Sequence, residues 1–195
     1  MKKMLMVMLA GLVVSLPAGA QQNATAPPTP AASLRGYYMT RKSEVVRSAE
    51  KFPEEFYGIR PGQQEEVRTF GQHLAHIANF NYLWCAQAKG EKNPNAGINL
   101  EKTLHTKAEF LKALTDSFSY CDGAYNALTD ASGAEILEFT REGGGTQRIS
   151  RMALLILNLT HEAEVYGSMA TTMRIKNIVP SSSEPRPQTP AQANK

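Results

Sequence analysis

Apolar positions recur along this chain at intervals of three and four, the spacing that lines one side of an α-helix. After Lys107 they fall at Leu111, Leu114, Phe118, Cys121, Tyr125 and Leu128 without a break, behind a Thr106–Glu109 pair at capping-box spacing. Thr69 and Gln72 repeat that spacing and predict a helix from Phe70, with Phe70, Leu74, Ile77, Trp84 and Cys85 inward and Gly90 as its stop. A first helix over about Ala32 to Lys51 turns Leu34, Tyr38, Val45, Ala49 and Phe52 inward, and Pro53 ends it. The stretch after it, Glu54 to Pro61, reads as a loop whose aromatics pack under the bundle. A last helix covers Ser150 to Lys176, where no proline intervenes; its stripe of Leu155, Leu159, Tyr166, Met169 and Met173 is broken only by Glu162. Residues 89–105 read as a long polar loop, and Asp130 to Gln147 as a connector with a helical turn at Ala134 to Phe139. Nothing alternates with period two, so no strand is expected. The prediction is an all-α four-helix bundle.

The chain outside those helices says where the bundle resides. Lys2 and Lys3, an apolar run from Met4 to Leu16 and the small residues Ala18-Gly19-Ala20 read as a cleaved signal peptide over 1–20, with Gln21 first in the mature protein. The run is too short for a membrane span, and no cysteine follows to carry a lipid anchor. Residues 21–31 read as a flexible leader, 32–179 as the bundle, and 180–195 as a disordered Pro-rich tail. The expected location is periplasmic or secreted. The net charge of +3 falls near +1 once Lys2 and Lys3 leave, and no basic cluster follows, so nucleic acid is excluded as a partner.

Export into an oxidising compartment favours a disulfide between the only two cysteines, Cys85 and Cys121, with two separate buried thiols as the alternative. A bond has a topological consequence. Each cysteine lies about fourteen or fifteen residues into its helix, so the two are level only if those helices run parallel. The seventeen residues from Lys89 to His105 are enough to run back along the bundle, giving an up-down-down-up order.

Candidate chemistry rests on histidines. His73 and His76 are three apart, hence neighbours on one helix face, and His161 sits beside the stripe in the middle of the last helix. Each has a plain reading as a core or interfacial histidine with one hydrogen bond. The sharper reading is metal ligation across the bundle. The Gly143-Gly144-Gly145 run lacks the strand and the Lys-Ser/Thr of a phosphate loop and reads as an ordinary connector.

From about Leu34 to Ser183 the chain resembles the DinB family of DinB/YfiT-like four-helix bundles. Phe52-Pro53-Glu54-Glu55, Arg60-Pro61, Thr69-Phe70-Gly71-Gln72, His76, Asn81-Tyr82, Cys121-Asp122 and Ala127-Leu128-Thr129-Asp130 carry the likeness. So do His161, Glu164, Tyr166-Gly167, Arg174, Lys176, Ile178-Val179-Pro180 and Ser182. The resemblance implies the same up-down-down-up order and a divalent metal, zinc or nickel, held by three histidines. His76 matches the first and His161 the second, but the third position holds Val165, whose methyl groups cannot ligate. His73 and Glu164 are the substitute donors available, and Val165 and Asn79 are expected to line the pocket.

Two functions follow from the resemblance. One is a degenerate site that binds an unidentified small molecule or is vestigial. The other is a divalent-metal-dependent hydrolase or transferase using His76, His161 and a substitute ligand. Related bundles include thiol-dependent enzymes, but export argues against a cytosolic thiol co-substrate and leaves water-activated hydrolysis. A homodimer is compatible with the pattern.

Overall fold

The computed structural model describes residues 28–140 and 144–185; the predicted signal peptide, most of the leader and the tail beyond 185 lie outside the described residues. Four long helices form the body: α1 (Pro30–Lys51), α2 (Phe70–Lys89), α4 (Lys107–Ala127) and α6 (Arg151–Ile175). Two single-turn helices, α3 (Leu100–Thr103) and α5 (Asp130–Gly133), and a hairpin of β1 (Ile136–Thr140) and β2 (Thr146–Ser150) fill the connections. Both capping boxes are formed, each threonine accepting from a backbone N–H while Gln72 or Glu109 reaches back to the cap. Among the described residues no helix is long and apolar enough to cross a membrane.

The stripes converge on one core. Tyr38, Val45, Ala49 and Phe52 of the first segment, Phe70, Leu74 and Ile77 of α2, and Leu114, Phe118 and Tyr125 of α4 are almost wholly shielded from solvent. Helix directions follow from which residues meet. Gly71 faces Phe110 and Cys85 joins Cys121, so α2 and α4 run parallel. Asn81 meets Asn158 while Arg151 donates to the carbonyl of Ala88, so α6 runs against α2. Tyr38 reaches Phe118 and Asp122 while Lys107 caps the end of α1 at Phe52, so α1 runs against α4. The order is up-down-down-up. A side-chain carbon at Gly71 would come within 2.5–2.9 Å of the Phe110 ring, so glycine there lets α2 and α4 close up.

The disulfide spans 5.3 Å between Cα atoms and closes a 36-residue separation, worth on the order of 4 kcal/mol by the chain-entropy relation. Just beyond it lies a buried polar seam. Asn158 donates to Asn81 (2.9 Å), Asn81 donates to Ser117 (3.2 Å), and the Tyr125 hydroxyl donates to Asn158 (2.8 Å). These bonds satisfy polar groups from three helices in a buried interior, where each unpaired one would be costly.

Three expectations fail here. The connector before α6 is a strand pair, with Ile136 opposite Ser150 and Thr140 opposite Thr146, rather than a loop with a helical turn at Ala134 to Phe139. Its alternation is real but only five residues long: Phe139 is buried and Leu137 half-buried, while Ile136, Glu138 and Thr140 are exposed. Gly144 and Gly145, with φ of 98° and 86°, supply the backbone that reverses the chain. The loop from 89 to 105 likewise contains α3, capped by Asn99. The packed end also extends past Val179: Ser181–Ser183 form a 3₁₀ turn, Ser181 donates its backbone N–H to Ser48, and Glu184 pairs with Lys51 (2.5 Å) and Arg47.

Candidate functional site

The antiparallel seam between α2 and α6 opens into a cleft of about 900 Å³, walled on one side by the hairpin. His76 enters from α2 and His161 from α6, and their Nε2 atoms stand 3.0 Å apart. Behind His76, α3 brings up Glu101, whose Oε1 accepts from His76 Nδ1 at 2.6 Å. The other oxygen of Glu101 accepts from Arg68 Nε at 2.7 Å. Aromatic rings box the pair: Phe80 lies 4.7 Å from His76 and 4.6 Å from His161, and Trp84 meets His161 edge-on at 5.0 Å between centroids.

The charges follow from that packing. Burial, with the neighbouring His76 and Arg68 adding to it, lowers His161 to about 4, so it is neutral at pH 7. Burial would raise the Glu101 carboxyl, but the hydrogen bonds from His76 and Arg68 outweigh it and hold the group below its ordinary value. An anionic carboxylate only accepts, so His76 carries a proton on Nδ1 toward Glu101. Its Nε2 and that of His161 then share one hydrogen bond, whose direction is set by the ring tautomers.

The other sequence candidates fall around this pair. His73 is buried on the cleft wall, and burial, then Arg68 and His76, lower it to about 4. Val165 is buried on the same wall and Glu164 is exposed there. Asn79 lies elsewhere: its Oδ1 accepts from Asn95 and from the backbone of Leu100, pinning the loop onto α2, and it lines a neighbouring recess. Sequence reasoning missed Glu101, because no local pattern ties residue 101 to a histidine 25 positions earlier. It also missed Arg68, one residue before the cap. Glu162 did leave a signal, the single break in the stripe, and it is fully buried.

The residues present can be tested against a divalent ion. Two imidazole nitrogens bound to one zinc at about 2.0–2.1 Å stand roughly 3 Å apart, and a carboxylate on the far nitrogen is the usual outer partner. The His76–His161 pair with Glu101 meets both requirements. The third donor is lacking: Val165 offers only methyl groups, and among the described residues no three His, Cys, Asp or Glu side chains gather closely enough to hold a metal. The donor set does not fit a three-ligand centre.

Comparison with known proteins agrees with the fold. Residues 18–166 match the model of the DinB superfamily. The chain belongs to that superfamily. Among solved structures it is similar to the mycothiol-dependent maleylpyruvate isomerase, at 14% identity and a TM-score of 0.56, over 72% of this chain and 61% of that one. A histidine-to-alanine mutant of that isomerase matches at 11% identity and a TM-score of 0.55, with the same coverage. The chain thus spans about 61% of the isomerase's length, and at these identities the likeness speaks to the fold alone. No match was found among curated proteins.

Proposed function

We propose that this chain is an exported DinB-superfamily protein that binds a small molecule in the cleft above the His76–His161 pair, its metal centre reduced to a hydrogen-bonded dyad. The observation that carries this reading is the direct 3.0 Å approach of the two Nε2 atoms, with Val165 on the cleft wall where the family resemblance implies a third donor. A hydrogen bond between the two Nε2 atoms needs no ion between them. The Cys85–Cys121 bond supports export, because such bonds persist in oxidising compartments.

A second reading keeps a divalent ion and a hydrolase or transferase activity. The nitrogen spacing and the Glu101 contact favour it, and Glu164 on the cleft wall is the donor within the same helix. Calorimetric titration with Zn²⁺ and Ni²⁺ separates the two. Weak binding by the unmodified protein, with affinity raised at least about a hundredfold by Val165→His, supports the dyad. An equivalent of metal retained through dialysis against a chelator would transfer the case to the metal enzyme.

A further inference from the structure

Resting on the reading of the cleft as a ligand site, we infer that its occupant is a small organic monocarboxylate with an apolar body, its carboxylate seated on Arg68. Arg68 is held from behind. Its Nε–H is committed to Glu101, whose second oxygen is committed to His76, so that carboxylate is fixed at both ends. The two terminal amino groups of the guanidinium make no hydrogen bond to any described residue, and the side chain is 40% exposed. A guanidinium pinned through Nε still presents a planar pair of N–H donors at its free end, the fork that matches a carboxylate.

The rest of the cleft sets the body of the ligand. Phe80, Trp84, Phe139, Ile149 and Ile156 supply rings and branched carbons, so an inorganic anion would leave most of the wall unfilled. Glu101 spends both oxygens on the protein, which leaves the polar end rich in donors and poor in acceptors. That asymmetry selects an acceptor such as a carboxylate and disfavours an amine. The remaining carboxylate on the wall, Glu164, is exposed and opposes a second negative charge, which favours one carboxylate over two.

The protein carries its own reporter, because its single tryptophan is Trp84 on the cleft wall. Fluorescence excited at the indole is followed while phenylacetate, phenylacetamide and phenethylamine are titrated in turn, with backbone amide NMR shifts as a second readout. Phenylacetate should bind saturably and at least about tenfold more tightly than the amide, one charge-assisted pair's worth of discrimination. Arg68→Gln should erase that preference by bringing acid binding down to that of the amide, and Arg68→Lys should restore only part of it, since a point charge lacks the fork. The acid-to-amide comparison on the unmodified protein stands even if a variant folds poorly. Equal binding of acid and amide, or preference for the amine, overturns the carboxylate inference and leaves the cleft a ligand site. If none of the three perturbs Trp84 or the amide resonances, the ligand-site reading falls and the inference with it.

Discussion

Glu162 offers a test of the packing that does not involve any ligand. It is wholly buried, and burial is the largest influence on it, opposed in part by the charge of Arg41 and the amide of Asn158; the result is a carboxyl raised from 4.5 to about 8. A raised carboxyl binds its proton on folding. Its drag on stability is therefore absent below pH 4.5, grows as the unfolded chain ionises, and levels off above pH 8. At 1.36 kcal/mol per pH unit of difference, the cost is about 1 kcal/mol at pH 5 and roughly 3 kcal/mol at pH 7. Glu162→Gln keeps the shape and removes the titration. Urea unfolding of both proteins at pH 5, 6, 7 and 8 gives a stability difference from which the histidine contributions cancel. That difference should move by about 2–3 kcal/mol in favour of the glutamine variant between pH 5 and pH 7. The constant offset between the two proteins is immaterial. A flat difference across this range would mean that folded and unfolded chains bind the same proton at residue 162, so that Glu162 is ionised in place and the burial argument is wrong.

Other outcomes follow from the same geometry. Replacing Cys85 and Cys121 together by serine should cost on the order of 4 kcal/mol in denaturant unfolding, and thiol counting on the oxidised, denatured parent should find no free sulfhydryl. His73 and His161, both lowered to about 4 from 6.5, are neutral where folded and protonate readily only when unfolded. Their contribution is complete above pH 6.5 and is lost as pH falls toward 4, so His73→Gln should flatten the acid limb of the stability profile. Asn158→Ala strips a donor from Asn81 and an acceptor from Tyr125, and thermal unfolding should show a loss of about 2–4 kcal/mol. Glu101→Gln should abolish the fixed tautomer of His76, read as a changed ¹⁵N shift pattern of its ring.

The long helices and their directions were legible because a buried stripe needs the same residue types at every turn. Phe70, Leu74 and Ile77 could hardly face anywhere else, and the cysteine positions then fixed which neighbours run parallel. The pairing of His76 with His161 was legible through the family resemblance, which assigns both to one ion. What escaped depended on chain segments folding back over a distance. Glu101 reaches His76 only because α3 docks on α2 through Leu100 and the Asn79 contact, and nothing in the local composition announces that. The hairpin escaped because five residues of alternation carry too little period to outweigh an all-helical context. Glu162 was visible as an irregularity, but an interruption reads equally as a solvated turn until burial decides it.

The loop that supplies Glu101 lies inside the ring closed by Cys85 and Cys121. Exposed loops are where proteases cut. A single nick between Gly90 and Thr106 would leave the two pieces tied by the disulfide, with α2 and α4 still side by side. Such a molecule would migrate as one band without reductant and as two with it. The covalent tie thus acts as a splint: it keeps the two helices at working distance even after the chain that carries the carboxylate to His76 has been severed.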